Sequence, residues 1–393
     1  MGDNEIGDEE DLSRVKSDVG RWPVFYYGVG HMLNDITSSC WFTYLLLFLA
    51  DIGLSPRDAA IVMLSGQVAD GFATVFTGEL IDRFGRFKVW HGAGSVLVAV
   101  SFSSVFGGCL PCRIFSTCSS VVETTSYSVS AAIFNMGWAA AQVSHMSMVN
   151  CISLNSTSRV VLTSCRNAFT MVANLSLYAI ALVVFSVITG KSHADIQNQA
   201  YLAFYVIQDL RMAQSAKALV PAILYISSFV VSIMMQEVSW TGRRLKAYFS
   251  IGGILWIFCG ASIILLPSSM KVFMYVISAF IGVANALMMV TAVSMQSVLV
   301  GSDLNGCAFV YGSLSFLDKI SCGIALYVLQ SFQSGAAPVA PAVEDGLSSS
   351  GYVSVTRYGL GLVPAVSSLV GVGVTLTMKL HTHSGSLTKP LLE

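Results

Sequence analysis

The chain has 393 residues, of which 54% are hydrophobic and only 11% charged, with a formal net charge of −1. Its mean hydropathy is +0.69, and a soluble domain of this length would need many more charges to cover its surface. The near-zero charge, with no basic patch outside loop ends, argues against nucleic acid as a partner.

Residues 1–22 are acidic and polar (Asp3, Glu5, Asp8, Glu9, Glu10, Asp11). They are unlike a cleavable signal peptide and read as a disordered cytosolic tail, so the first apolar segment acts as an uncleaved anchor. Apolar runs long enough to span a bilayer fall near 24–50, 56–80, 89–110, 125–150 and 164–189, then near 217–237, 247–267, 272–298, 305–331 and 355–379. Arg83, Arg86 and Lys88 follow the second run, and Arg159 precedes the fifth. Arg243, Arg244 and Lys246 follow the sixth, and Lys379 the tenth. All four basic clusters share one side if both termini are cytosolic. The sequon Asn155-Ser156-Thr157 falls on that same side, where it would go unused.

The expected organisation is therefore all-α and polytopic. A five-helix bundle over 23–190 and another over 217–380 lie between the tail 1–22 and a cytosolic tail 381–393. Between the bundles, 191–216 is too polar to span, and its one apolar piece, Tyr201–Ile207, is too short. An internal repeat accounts for it. Gly85-Arg86-Phe87-Lys88 ends the second helix of the first half, and Gly242-Arg243-Arg244-Leu245-Lys246 follows the first helix countable in the second. If both tracts end the second helix of a repeated half, the simplest account is a twelve-helix, two-half chain lacking helices six and seven. An even number removed keeps every later helix correctly oriented.

Most of the nine cysteines lie in apolar runs; Cys109-Leu110-Pro111-Cys112, with Cys118 nearby, sits in a non-cytosolic loop. A disulfide or plain thiols fit better than zinc, which needs four ligands.

Four helices carry polar groups at helical spacing. On the second, Gln67, Asp70, Thr74 and Thr77 share a face; a carboxylate in lipid costs at least ~2.5–3.5 kcal/mol, so Asp70 should face a wet cavity. On the first, His31, Asp35 and Ser38 share a face, as Asn135, Trp138, Gln142 and His145 do on the fourth. Arg166 opens the fifth, where a guanidinium could pair with a solute carboxylate or with Asp35 and Asp70. Lys319 lies deep in the penultimate helix with Ser315 and Cys322, and a buried lysine there needs a counter-charge, for which Asp70 is the candidate. No phosphate-cradling loop, nucleophile elbow or metal-ligand set is present, so the expectation is a solute carrier with no cofactor and no enzymatic activity.

Gly78-Glu-Leu-Ile-Asp82-Arg83-Phe-Gly85-Arg86-Phe-Lys88 resembles the signature loop after helix two of the major facilitator superfamily. Tyr27-Gly-Val-Gly-His31-Met-Leu-Asn34-Asp35, Gly66-Gln-Val-Ala-Asp70-Gly71, Arg159-Val-Val-Leu-Thr-Ser-Cys-Arg166-Asn167 and Gly306-Cys-Ala-Phe-Val-Tyr311-Gly312-Ser-Leu-Ser-Phe-Leu-Asp318-Lys319 are similar to its glycoside–pentoside–hexuronide:cation symporter branch. The resemblance implies a major facilitator fold and secondary active transport by alternating access. It places Asp35 at a substrate-holding acidic position and Asp70 at a cation-site carboxylate, with Thr74 where a second acid would stand. Gln142 falls where sugar symporters have an aspartate that grips hydroxyls, which argues against a copied sugar site. Arg166 falls at a substrate-side or gating arginine, and Lys319 at a lysine close to the cation site. His31 joins the candidate substrate-binding set.

Gly78, Asp82, Arg83, Gly85, Arg86 and Lys88 are read as a conformational latch, with Asp82 able to cap a neighbouring helix end and Gly85 permitting the turn. Tyr201-Leu-Ala-Phe-Tyr205 resembles the far end of helix seven. The expected solute is small and polar: an amino acid such as cysteine is favoured over a sugar carried by a sugar:cation symporter, with H⁺ or Na⁺ as the coupling ion. A truncated, non-transporting form acting through partners is the alternative. Leu391-Leu392 in the tail tilts the location towards a lysosome- or vacuole-like membrane.

Overall fold

A computed structural model describes residues 19–115, 119–187, 210, 212, 216–300, 306–335 and 355–380. Within these, the first half contains α1 (Arg21–Gly30), α2 (Met32–Asp51), α3 (Pro56–Phe84), α4 (Phe87–Phe106), the six-residue α5 (Leu110–Phe115), α6 (Ser120–Ile152) and α7 (Ser156–Val187). The second contains α8 (Ala216–Met234), α9 (Gly242–Leu265), α10 (Phe273–Val300), α11 (Cys307–Gly335) and α12 (Val355–Thr377), with 3₁₀ turns at Met235–Glu237 and Ser268–Met270. α1 and α2 form one rod interrupted at His31, and α5 is a connector, so the long rods coincide with the ten apolar runs.

Local chemistry sets the helix ends. Ser55 caps α3 by accepting from Asp58 N–H, with Pro56 at its first position. Gly85 at φ +66° and Arg86 at φ +60° turn the chain sharply between α3 and α4, a backbone glycine adopts freely and arginine only at some cost. Ser119 caps α6 and Thr241 caps α9. Lys246 donates to the carbonyls of Met378 (2.8 Å) and Leu376 (3.2 Å), closing the end of α12.

Among the described residues, α3, α4, α8, α9, α10 and α12 are long and apolar enough to cross a membrane by length and composition alone. α6 and α7 fall outside that set, and they carry the polar groups: Asn135, Gln142, His145 and Asn150 on one, Arg159, Arg166 and Asn167 on the other. The burial pattern is inside-out for water. On α3, Phe72 and Phe76 are 74% and 65% exposed while Asp70 is 1% exposed, an arrangement stable only if the exposed face meets lipid. The chain is a multi-pass integral membrane protein.

Each half packs as its own bundle. In the first, Trp41 stacks on Phe134 at 3.8 Å within a cluster that includes Leu45, Leu49 and Val98. In the second, Cys259, Ile263, Met274 and Ile281 form the centre, with Leu210 buried among them. Glycine pairs let backbones approach: a side chain on Gly94 would meet Gly137 of α6, and one on Gly260 would meet Gly361 of α12. The halves meet along two seams, α3 on α11 and α7 on α8 and α10, while α11 packs chiefly against α3 and only slightly against α10 and α12 of its own half. Cys109 and Cys112 are joined as a disulfide. The acidic tail (residues 1–18), the piece Tyr201–Tyr205, Cys118 and the dileucine tail lie outside the described residues.

Candidate functional site

The α3–α11 seam carries a buried charge pair. Lys319 Nζ donates to Asp70 Oδ1 and, at 2.9 Å, to Thr74 Oγ1. It also lies over the Trp138 ring of α6, 4.7 Å from its centroid. Thr74 in turn donates to the Asp70 carbonyl at 2.5 Å. Backbone proximity makes this reach possible: a side chain on Gly312 would strike the Thr74 carbonyl, and one on Gly78 the Ala308 carbonyl. The lysine counter-ion inferred from sequence is thus in place, and it ties one half to the other. Asp318 is exposed on another face of α11.

A second polar cluster lies wholly in the first half, on α2, α6 and α7. Gln142 Oε1 receives Arg166 Nη2 at 3.0 Å and faces His31 Nε2 at 3.0 Å. Asp35 accepts from Thr170 Oγ1 at 2.8 Å and stands 3.8 Å from His31 Nε2. Arg166 forms no ion pair with Asp35 or Asp70 among the described residues, so the two opposite charges of this cluster stand apart, each held by a neutral partner. The Nε of Arg166 is buried and unpartnered. His31, at the α1–α2 break and 0% exposed, stacks on His145 at 4.6 Å, and His145 stacks on Tyr27 at 4.1 Å. His91 of α4 completes a three-ring group, 5.3 Å from His145. Asn135 serves packing: it donates to the Ala131 carbonyl beside Gly66.

Of the latch residues, Asp82 reaches the other half. Its two carboxylate oxygens accept from Ala308 N–H (2.8 Å) and Phe309 N–H (2.6 Å), the first turn of α11. A carboxylate there satisfies orphan amides and meets the positive end of the helix dipole. Arg83 pairs with Glu79 at 3.6 Å on an exposed face of α3, and Arg86 and Lys88 are exposed. Gly78 and Asp82 of this motif approach the second half, and Ile81 between them packs with Ala308.

Two expectations need correcting. Arg166 does not open its helix; α7 begins at Ser156, because Asn155 Oδ1 accepts from the N–H groups of Thr157 (2.8 Å) and Ser158 (3.3 Å) and starts the helix early. Arg159 therefore lies inside α7 and is 3% exposed, so it is no solvent-facing topology marker. It donates from Nε to the Ser153 carbonyl (2.9 Å) and from Nη1 to the Ser297 carbonyl (2.6 Å) in the last turn of α10.

The same end, which also bears Arg83, Arg86, Arg243 and Arg244, holds several further bridges. Asn150 donates to Cys307 Sγ at 3.1 Å, and Ser156 donates to the Trp240 carbonyl at 2.9 Å. Asn167 donates to Ser232 Oγ at 2.8 Å farther along the α7–α8 seam. These contacts tie the two halves together at the basic end of the molecule. Sequence reading missed the bridging role of Arg159, and it missed Thr170, Asn150 and His91. Of these, Thr170 had a signal, since it stands one turn beyond Arg166 on the same face.

Residues 26–208 match the family model described as MFS/sugar transport protein. The human protein named major facilitator superfamily domain-containing protein 12 is 29% identical over 405 aligned positions, covering 78% of this chain and 84% of the relative. Its mouse counterpart is 28% identical, with the same coverage. Those 405 positions outnumber the 393 residues of the whole chain although only part of the chain takes part, so the relatives have residues where this chain has an internal gap. Two solved structures share the fold. A bacterial homologue of the iron transporter ferroportin in an outward-facing state gives a TM-score of 0.65 at 11% identity, covering 90% of this chain and 98% of that one. A proton:xylose symporter bound to 6-bromo-6-deoxy-D-glucose gives 0.59 at 10% identity, covering 90% and 96%.

Proposed function

We infer that this chain, a membrane transporter of the major facilitator superfamily, carries a small polar solute by alternating access. We further infer that the solute is an amino acid such as cysteine rather than a sugar. One observation carries the solute reading: Asp35 and Arg166 stand in one polar cluster as opposite charges that do not pair with each other. A zwitterion brings an ammonium for one and a carboxylate for the other, so its binding adds two charge-assisted hydrogen bonds without leaving net charge in the membrane. A neutral sugar would leave both charges without a partner of opposite sign. With Gln142 in place of a carboxylate, the site also offers fewer acceptors to sugar hydroxyls.

Asp70, Thr74 and Lys319 are the coupling group. Asp70 already holds an ammonium, so Na⁺ would have to displace Lys319 from the carboxylate it donates to. A proton needs no such exchange. Protonation of Asp70 cancels its charge, releases Lys319 and loosens the α3–α11 seam midway along its length. Asp82 and Arg159 then supply the remaining hold at the basic end, until solute and proton together favour the opposite arrangement. The basic end is the cytosolic one by the positive-inside rule, with both termini on that side and a lysosome- or vacuole-like membrane favoured. The closed basic end is then the state that faces away from the cytosol.

The test is uptake of radiolabelled cysteine and a set of hexoses into vesicles at two pH values, with Asp70→Asn beside the unmodified chain. Acid-stimulated cysteine uptake that is lost in Asp70→Asn supports the reading. Hexose uptake, or pH-independent cysteine uptake unchanged by Asp70→Asn, rejects it.

The internal gap against the relatives, together with the weak packing of α11 on its own half, favours one second reading: a non-transporting form that acts through partners. It requires that no solute is taken up, and that restoring two helices at the gap switches uptake on.

A further inference from the structure

We propose that the groove between α1, α7 and α8 at the basic end is a binding site for a phospholipid with an ethanolamine headgroup, held by Arg21 at its phosphate and by Glu237 at its ammonium. None of the residues lining the groove belongs to the two charge pairs described above.

The groove has a volume of about 870 Å³ and is walled by both halves: α1 and α7 from the first, α8 and the 3₁₀ turn after it from the second. Its chemistry changes along its length. Arg21, Thr157, Gln236 and Glu237 come from the basic-side termini of these elements, whereas Val161, Phe169 and Val172 of α7 and Phe229 of α8 line it farther in. A polar mouth above an apolar trough suits an amphiphile, which keeps its charged end solvated and its chain out of water.

Length separates a lipid from a helix as the occupant. From Thr157 to Val172 the groove follows α7 for about 22 Å at the helical rise of roughly 1.5 Å per residue. One leaflet with its headgroup region is ~20–22 Å thick, whereas a spanning helix needs a track of at least ~30 Å. The groove therefore serves one leaflet. Its level is marked as well. Trp22 and Tyr26 are exposed and stack on each other, and such aromatic residues settle at the headgroup boundary. Arg21 directly precedes them, which puts it at headgroup height.

Charge selects the headgroup. Arg21 and Glu237 are both exposed, and neither has an ion-pair partner among the described residues. Arg21 opens α1, whose N-terminus has no side-chain cap, so a guanidinium and the positive end of a helix together favour a phosphate. Glu237 then calls for a cation with donors. The ammonium of ethanolamine supplies N–H groups, a fully methylated choline has none, and a glycerol headgroup brings no positive charge. Because the walls belong to both halves, a lipid seated here favours the arrangement that forms the groove.

The experiment is photolabelling of the purified full chain in phosphatidylcholine nanodiscs. Three trace probes carry the same diazirine midway along one acyl chain and differ only in an ethanolamine, choline or glycerol headgroup. Yield on Phe169 and Phe229 of the groove is divided by yield on the exposed Phe72 and Phe76 of α3. The ethanolamine probe should label the groove about three- to fivefold more than either of the others, a modest ratio because Glu237 is exposed. Glu237→Gln should bring the ethanolamine and choline probes level, and Arg21→Gln should lower labelling by all three. A ratio of probes within one variant is insensitive to how much of the variant folds.

Equal labelling by the ethanolamine and choline probes in the unmodified chain overturns the proposal. So does a ratio unchanged in Glu237→Gln, labelling undiminished in Arg21→Gln, or a groove that no probe labels above the α3 reference. Strongest labelling by the glycerol probe also overturns it, in favour of a site for anionic lipid.

Discussion

The membrane interior of this protein holds two pairs of opposite charges, and they are treated in opposite ways. Asp70 and Lys319 touch, belong to different halves and share a threonine. Asp35 and Arg166 belong to the same half, stay apart and each take a neutral partner. A joined pair across a moving interface can act as a strut, whose strength depends on its protonation. A pair kept apart by its own bundle is, on the proposed reading, a receptor for a molecule with two charged ends. Carboxylate content alone would make the two sites look alike; partner choice separates them.

The largest expected effect tests the strut. Lys319→Met strands the Asp70 carboxylate, and removing one member of a buried pair costs about 3–5 kcal/mol. Thermal unfolding in nanodiscs should show a large drop, most of it recovered when Asp70→Asn is added. Arg166→Gln should lower stability much less, since Asp35 keeps its Thr170 hydrogen bond. Equal destabilisation by the two single changes would erase the distinction between strut and receptor.

Next is the receptor itself. Arg166→Gln and Asp35→Asn each remove a charge-assisted contact to solute worth about 1.5–3 kcal/mol, so uptake efficiency should fall about ten- to a hundredfold. A smaller effect follows at the basic end. Asp82→Asn weakens a charge–dipole contact worth about 0.3–1 kcal/mol, which should raise several-fold the rate at which a permeant maleimide labels Cys307, a thiol 1% exposed in the closed arrangement. The smallest effect is expected for Arg83→Gln. Its partner is an exposed glutamate one turn away on the same helix, and surface pairs contribute little, so labelling of Cys307 should match the unmodified chain. A rise equal to that of Asp82→Asn would show that the whole motif, rather than Asp82, holds the gate.

The fold was legible because apolar run length and basic clusters are strong signals in a membrane chain. Every expected span overlaps a long helix, and of the polar stripe on α3 Asp70, Thr74 and Thr77 are buried together while Gln67 is exposed. The Asp70–Lys319 pair was also legible, since a buried lysine demands a carboxylate and few were available. What could not be read were contacts made through backbone atoms. Arg159 serves the carbonyls of Ser153 and Ser297, and carbonyls leave no trace in residue type. The early start of α7 was hidden for a related reason: its first turn is polar and buried against Trp240, so hydropathy placed the helix several residues late. The separation of Arg166 from Asp35 depended on which neutral neighbour each would choose, a matter of ångströms that spacing along a helix does not fix.

The most direct test of the account is uptake of radiolabelled L-cysteine by vesicles carrying the unmodified chain, Asp35→Asn, Arg166→Gln, or both changes together. The account predicts saturable uptake by the unmodified chain, a severe loss in each single variant, and little further loss in the double variant, because one bound zwitterion needs both ends. Uptake that survives either single change, or an unmodified chain that moves hexose and ignores cysteine, would contradict it.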